Sequence, residues 1–256
     1  KTEIFEGMNE HGKAVLNGGD DKLRTVKLVK GHRPYYFNDP SCYADHIVSH
    51  GIFGTSCEIH MDGELIRAEI KVPGQHQVTN TLAAVRVAKL LGLDMEQMTR
   101  GIASVVPIAG RNRIIQEGNF TLIDDCYNAN PVSVRSSLDV LNNAEERKVA
   151  ILGDMFELGE NEKQLHYEVG SYLAQKQMDV LLTVGALSTS IAQGAKDYRK
   201  NHAGAYPCSV HTFTTKEELI AQLPAFLKQG DNILVKASHA MEFPKVIEAI
   251  TVMTQE

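Results

Sequence analysis

The residues best suited to chemistry lie near the middle of the chain, at residues 124–131 (Asp-Asp-Cys-Tyr-Asn-Ala-Asn-Pro). Two carboxylates, a phenol and two amides could bind a ligand with phosphate, carboxylate or hydroxyl groups. An apolar run precedes them, and Asn130 followed by Pro131 is typical of a helix start. The segment is therefore predicted to be a strand–loop–helix joint, the place where open α/β sheets bind ligands. A plain polar turn is the alternative.

Two other predicted strands end in loops of similar chemistry, at residues 153–159 and 236–239. Because the carboxyl ends of parallel strands meet at one edge of a sheet, the three loops are expected to form one surface. A polar sheet edge without a ligand is the alternative, since every α/β sheet has such loops. The polar side chains expected there include Asp124, Asp125, Asp154, Tyr127, Asn128, Asn130, Lys236, Ser238 and His239.

The elements that must position these residues fall into two zones. Up to residue 106, short β-like runs are predicted at residues 14–17, 25–29 and 46–48, with a hairpin pairing residues 54–60 with 65–72 across Asp62-Gly63. Helices are predicted at residues 78–91 and 94–104, before a linker at residues 105–110.

From residue 107 onward, strands and helices alternate strictly. Near-continuous apolar strands separated by amphipathic helices predict an α/β fold, with a mostly parallel sheet flanked by helices. The predicted strands are residues 120–124, 148–152, 180–184, 210–213 and 232–235. The predicted helices are residues 132–143, 162–176, 188–200, 216–228 and 244–251.

Composition excludes several classes of protein. A hydrophobic content of 43% with 23% charged residues is that of an ordinary globular chain. A net charge of −6 does not favour nucleic-acid binding, and no apolar run is long enough for membrane insertion. The four cysteines lack CxxC spacing, and the histidines lack metal-ligand spacing. His46 and His60 are accordingly expected to be ordinary surface or half-buried residues.

Two polar sites outside the loops could bind a ligand. Gln77 and Asn80 lie three residues apart at a predicted helix start, where amides can contact an adenine edge. Plain helix capping is the simpler interpretation. Arg111 follows the linker, where a guanidinium could reach a nucleotide, although a surface charge is more usual there.

Together these motifs resemble the Mur ligase family over essentially the whole chain. The matching segments are Lys-x-Glu-Ile-Phe (residues 1–5), His-x-x-x-Asn-x-x-Ala-Ala (76–84), Gly-Arg (110–111), Asp-Asp-x-Tyr-Asn-Ala-Asn-Pro (124–131), Gly-Asp-Met-x-Glu-Leu-Gly (153–159) and Val-Lys-Ala-Ser-His (235–239). The resemblance implies that residues 1–106 are the C-terminal part of a central ATP-binding domain. It also implies that residues 107–256 are the family's C-terminal Rossmann-like domain.

The resemblance also implies an activity. The motifs at residues 124–131 and 153–159 are those of members that ligate D-alanyl-D-alanine to UDP-MurNAc-tripeptide in peptidoglycan precursor synthesis. ATP, with Mg²⁺, would phosphorylate the tripeptide carboxylate, and the dipeptide amine would attack the acyl phosphate. Such an enzyme is expected to be a cytoplasmic monomer. No GxxxxGK[ST] loop is present, so this chain is expected to be a piece of a longer protein and inactive alone.

Residue roles are implied position by position. Lys1 matches the lysine that the family carbamylates to hold magnesium, and Lys236 lies in a loop that resembles the family's Lys-Gly-Ser-Arg; both are expected to be catalytic. Ala237 and His239 stand where Gly and Arg are common. Nucleotide binding is implied for Gln77, Asn80, Arg111 and Asp125. Substrate binding is implied for Tyr127, Asn128, Asn130, Ser238 and His239.

Two other functions remain open at this point. One is another amide ligase of the same superfamily, of the folylpolyglutamate or cyanophycin synthetase type, although the Tyr-Asn-Ala-Asn loop does not favour it. The other is a non-catalytic Rossmann-like binding module.

Overall fold

A computed structural model of the chain describes residues 2–253. The chain forms two compact units, one ending at Val106 and one beginning at Pro107. Lys1, expected to be catalytic, lies outside the described residues. Within these residues, no helix has the length and apolar character needed to cross a lipid bilayer.

The first unit is built around an antiparallel three-stranded sheet and two helices. The sheet order is β3-β4-β5, and a separate parallel pair joins β1 to β2. Cysteine, methionine and aliphatic side chains from one face of this sheet form a core with the second and third helices. The elements are β1 (Val15–Asn17), α1 (Asp21–Arg24), β2 (Tyr35–Phe37), β3 (Cys42–Ser49), β4 (Thr55–Met61), β5 (Glu64–Ile70), α2 (His76–Leu90) and α3 (Met95–Ala103).

The second unit has a six-stranded sheet in the order β10-β9-β8-β11-β7-β6, with only β6 antiparallel to its neighbour. This mostly parallel sheet with flanking helices confirms the predicted fold class. The strands are β6 (Arg113–Glu117), β7 (Phe120–Asp124), β8 (Lys148–Gly153), β9 (Val180–Val184), β10 (Ser209–Phe213) and β11 (Asn232–Lys236). The helices are α4 (Pro131–Asn142), α5 (Glu162–Leu173), α6 (Thr189–Asn201), α7 (Lys216–Phe226) and α8 (Pro244–Met253).

Strands β8, β9 and β11 are buried along their whole length because helices cover both faces of the sheet. Helix α4 begins as predicted. The Asn130 side chain accepts a hydrogen bond from the Ser133 backbone N–H, Ser133 Oγ accepts one from the Asn130 N–H, and Pro131 is the first helical residue. This capping fixes the C-terminal side of the 124–131 loop.

Helices α5 and α6 approach each other unusually closely. The contact depends on Gly170, where an added Cβ would lie 1.9 Å from the backbone oxygen of Ile191. Any side chain there would force the two helices apart, so only glycine fits this crossing.

Candidate functional site

The carboxyl ends of β7, β8 and β11 meet at one edge of the six-stranded sheet, as the β–α alternation predicts. Strand β11 lies between β7 and β8 and is parallel to both. The loops are joined by backbone hydrogen bonds, from Asp125 N–H to the Val235 oxygen (3.1 Å) and from Ser238 N–H to the Asp154 oxygen (3.0 Å). The structure therefore brings together residues that are 110 and 84 positions apart.

A buried ion pair lies beneath the 124–131 loop. Lys236 is 2% exposed and Asp125 7% exposed, and Lys236 Nζ lies 2.5 Å from Asp125 Oδ2. The same ammonium also donates to the backbone oxygens of Asp125 (3.3 Å) and Asn128 (3.0 Å). All three ammonium donors are therefore directed to acceptors of the loop, and Lys236 holds its shape.

Both carboxylate oxygens of Asp125 are occupied by protein donors. Ser137 Oγ on helix α4 donates to Oδ2 at 2.6 Å, and the Asn112 backbone N–H donates to Oδ1 at 3.1 Å. Neither Ser137 nor Asn112 was predicted as a site residue. Ser137 lies seven residues after the helix N-cap Asn130, on the helix face above the loop. That helical spacing is the feature of the sequence from which its position near the loop could have been predicted.

Asp124 anchors the segment that leads into β6. Its Oδ2 accepts a hydrogen bond from Gly110 N–H (2.8 Å), and Gly110 O accepts one from Tyr127 N–H (3.0 Å). Cys126 Sγ donates to Asp124 Oδ1 at 3.0 Å. Burial, and then the neighbouring Asp124 carboxylate, raises the pKa of the Cys126 thiol far above its ordinary value. Cys126 is therefore a neutral packing residue and not a nucleophile.

The loops after β8 and β11 are also connected by side chains. Ser238 Oγ accepts a hydrogen bond from Phe156 N–H (2.8 Å), and Asp154 Oδ1 accepts one from Ser188 N–H (2.7 Å). The fully buried His166 accepts from Met155 N–H through Nε2 (2.9 Å), while its Nδ1 lies 2.7 Å from the Glu162 backbone oxygen. This arrangement fixes a neutral imidazole with the proton on Nδ1. No sequence signal pointed to His166.

A cluster of exposed side chains lies above these hydrogen-bonded loops. The Arg111 guanidinium carbon is 4.0 Å from the centroid of the Tyr127 ring, and the His239 ring is 5.6 Å from that ring. Tyr127 is 49% exposed, and Arg111, Asn128 and His239 are exposed as well. We call Arg111, Tyr127, Asn128 and His239 the exposed cluster. Its donors face solvent and suit an anionic or peptide-like ligand.

One buried acceptor beside the exposed cluster lacks a partner. Asn112 is 8% exposed, and within residues 2–253 its Oδ1 has no hydrogen-bond donor. Asn112 also has left-handed backbone geometry, with φ of 51°. An unpaired buried carbonyl costs about 1–3 kcal/mol, so Asn112 is a locally unfavourable position beside Asp125.

The amides predicted in the first unit lie beside an apolar cavity. Asn80 Nδ2 donates to Gln77 Oε1 at 3.0 Å, and both residues line a cavity of about 330 Å³. The other lining residues are mainly aliphatic side chains of β5, α2 and α3. A small apolar cavity with amides at its wall is the kind of environment that accepts a flat heteroaromatic base.

Comparison with known proteins gives the family. A model of the Mur ligase middle domain matches residues 1–88, and a model described as "Mur ligase, glutamate ligase domain" matches residues 110–239. The UDP-N-acetylmuramoyl-tripeptide–D-alanyl-D-alanine ligase of Haemophilus influenzae is 30% identical over 98% of this chain and 53% of its own length. The same ligase of Bacillus subtilis is 27% identical over 97% of this chain and 53% of its own.

A crystal structure of MurF from Acinetobacter baumannii superimposes with a TM-score of 0.85 at 25% identity, over 100% of this chain and 54% of that one. The chain thus spans about half the length of the curated relatives it matches. The two family models match most of its residues, one in each compact unit. The chain belongs to the Mur ligase family.

Proposed function

We propose that this chain is a portion of a Mur ligase that joins D-alanyl-D-alanine to UDP-MurNAc-tripeptide with ATP. The observation that supports this most directly is the 124–131 loop, held in shape by Lys236 beneath the exposed cluster. The relatives that match nearly the whole chain have that ligase's name. We further propose that the enzyme works as a cytoplasmic monomer.

The proposed reaction has a simple chemical logic. A carboxylate is a poor electrophile, and phosphorylation converts its oxygen into a good leaving group. The dipeptide amine then attacks the acyl carbon, the C–O bond to phosphate breaks, and an amide forms while the amine loses a proton. The protein must hold the anionic substrate and the amine close together, which is mainly a task of positioning.

The exposed cluster supplies the groups for that positioning. We propose that Arg111 contacts anionic oxygens of the nucleotide while the Tyr127 ring supports its guanidinium. His239 and Asn128 are proposed to contact the dipeptide, whose carboxylate suits an imidazole donor and whose amide suits a side-chain amide. Asn130 is committed to capping helix α4, so its contribution is to hold the loop.

The buried side chains beneath the exposed cluster support it without contacting a ligand in the described arrangement. Lys236 and Ser238 are 2% and 4% exposed, and both are bonded to loop atoms. We therefore propose that both are positioning residues. Asp125 is proposed to hold the loop that faces the nucleotide, because both of its carboxylate oxygens accept hydrogen bonds from protein donors.

Magnesium does not fit this sheet edge. The carboxylates at this edge each accept hydrogen bonds from protein donors; they belong to Asp124, Asp125 and Asp154. The neighbouring exposed side chains, Arg111 and His239, have no oxygen atom to offer a metal. Mg²⁺ requires free oxygen ligands. Magnesium binding by a carbamylated Lys1 remains a proposal, and that residue lies outside the described part of the chain.

For the first unit, we propose that Gln77 and Asn80 border the adenine of ATP. The cavity of about 330 Å³ beside them can hold one base, and the two amides offer both donors and acceptors. Because Asn80 and Gln77 are already hydrogen-bonded to each other, their orientation is set before the base arrives.

The decisive test is ligation by the longer protein that contains this chain. It should release phosphate only with ATP, UDP-MurNAc-tripeptide and D-alanyl-D-alanine together, whereas the 256-residue chain alone should not turn over. Glutamate or aspartate accepted in place of the dipeptide would indicate another ligase of the superfamily. Binding of neither nucleotide nor dipeptide by the folded chain would indicate a non-catalytic module.

A matched pair of variants tests the exposed cluster. Arg111→Gln should raise the KM for ATP, whose anionic oxygens Arg111 is proposed to contact, by about 10- to 100-fold. This is the cost of losing a charge-assisted hydrogen bond. Arg113→Gln removes an exposed arginine two positions away and serves as the control. Equal kinetics for the two variants would refute the role of Arg111.

A further inference from the structure

Two histidines and two carboxylates gather on the three-stranded sheet of the first unit, away from the cavity described above. We call Asp45, His46, Glu58 and His60 the β3–β4 cluster. The ligand atoms of Asp45, Glu58 and His60 all lie within 4.8 Å of one another. None of these residues was expected to form a site, because His46 and His60 have no metal-ligand spacing in the sequence.

The pairing of β3 with β4 creates an electrostatic problem at this position. Asp45 lies directly opposite Glu58 in the register, and like charges directly opposite each other destabilise a sheet. Arg67 Nε, on an 83% exposed side chain, lies 3.3 Å from Glu58 Oε1 and offsets only part of that charge. A cation held between the two carboxylates would remove the repulsion.

The backbone brings a second imidazole to the same place. Neighbouring residues of a regular strand face opposite sides of the sheet, yet His46 Nδ1 lies 3.2 Å from Asp45 Oδ1 and 3.3 Å from Glu58 Oε2. A bulge between Asp45 and Val48 and a left-handed His46 backbone, with φ of 45°, produce this reversal. Such strain in a non-glycine residue is typical of functional positions.

Three of the six distances among the ligand atoms of the β3–β4 cluster are close to those of a tetrahedral metal site. Zinc bonds to nitrogen and oxygen are about 2.0–2.1 Å long, so ligand atoms at the corners of a tetrahedron lie about 3.3 Å apart. The observed separations are 3.0 Å for His60 Nε2 to Asp45 Oδ1 and 3.2 and 3.3 Å for the two His46 contacts. Tyr43 stacks on the His60 ring at 4.7 Å and fixes its orientation.

We propose that Asp45, His46, Glu58 and His60 form a zinc site that ties β3 to β4. Two imidazoles with two carboxylates favour zinc over magnesium or calcium, which prefer oxygen ligands alone. Binding would displace protons from the imidazoles and replace the hydrogen bonds between the four side chains with bonds to the metal. This site is independent of the proposed ligase activity.

The test is titration of the chain with ZnCl₂ at pH 7.5 by isothermal titration calorimetry, with thermal unfolding as a second measurement. One zinc ion per chain should bind and raise the Tm. His60→Gln should weaken binding at least tenfold. His11→Gln, which alters an exposed histidine of the same unit, should leave binding unchanged.

Cobalt distinguishes this cluster from the cysteines. Co²⁺ should give the visible bands of tetrahedral coordination, without a thiolate charge-transfer band, and His60→Gln should abolish them. Absence of saturable zinc binding by the folded chain would overturn the proposal and leave a hydrogen-bonded ion-pair network. Equal affinity in His60→Gln and His11→Gln would overturn it as well.

Discussion

Replacing Lys236 with methionine tests whether the ion pair beneath the loop is a structural element. Methionine keeps much of the side-chain length but removes the ammonium that lies 2.5 Å from Asp125 Oδ2 and 3.0 Å from the Asn128 oxygen. The change leaves a carboxylate that is only 7% exposed without its cation. Removing one partner of a buried ion pair costs about 3–5 kcal/mol.

That cost should appear as a large fall in thermal stability. For a unit of this size, each kcal/mol lowers the Tm by about 2–4 °C, so Lys236→Met should lower the Tm of the second unit by about 6–20 °C. Urea unfolding followed by circular dichroism supplies the free energy. Lys245→Met is the matched control, because that lysine is 55% exposed and its pair with Glu242 is screened by solvent.

The double variant separates charge from packing. Adding Asp125→Asn to Lys236→Met removes the stranded charge while an amide oxygen can still accept from Ser137. The double variant should therefore be more stable than the sum of the single changes predicts, by about 2 kcal/mol. A loss below about 1 kcal/mol for Lys236→Met, or strict additivity, would refute the structural role of this pair.

Three further outcomes are expected. His166→Ala should destabilise the second unit by about 2–4 kcal/mol and speed hydrogen exchange at the Met155 backbone amide, because that buried donor loses its acceptor on His166. Unchanged exchange at this amide would contradict the prediction. Gly170→Ala should cost about 3 kcal/mol in urea unfolding because the methyl group meets backbone, and a neutral effect would contradict the close helix crossing. Lys245, and then Lys216, lowers the pKa of Glu242 to about 2, so the stability gained from ionised Glu242 is lost as the pH falls from about 4.5 to 2. Glu242→Gln should flatten the fall in Tm over that range, and identical pH profiles would refute this.

The strands of the second unit were predictable because buried strands appear in the sequence as continuous apolar runs. Strands β7 and β9 have the predicted limits, and the other parallel strands differ by one residue. Strand β6 was missed because it is half-exposed and at the sheet edge, where the apolar signal is weak. Residues 25–29 were predicted to be a strand, but Asp20 caps a short helix just before them, and a 3₁₀ turn follows at Val29–Gly31.

The site was predictable in its location but not in its internal connections. The parallel alternation placed the loops of Asp125 and Lys236 at one edge without any structure. The sequence does not show that Lys236 is buried, because its partner Asp125 lies 111 residues earlier. Nor does it show the orientation of His46, since a bulge reverses the side on which a strand residue lies.

The position of β11 has a consequence for how the protein folds. This strand is the last of the sheet to be synthesised, yet it lies between β7 and β8, which have no direct pairing with each other. Until Asn232–Lys236 leaves the ribosome, both neighbours have an unpaired apolar edge, which is an aggregation hazard. The nascent chain must keep those edges apart for about 80 residues after β8, and the slow step should be insertion of β11. Truncation before Asn232 would therefore remove the centre of the sheet, and the loop that binds Lys236 could not form.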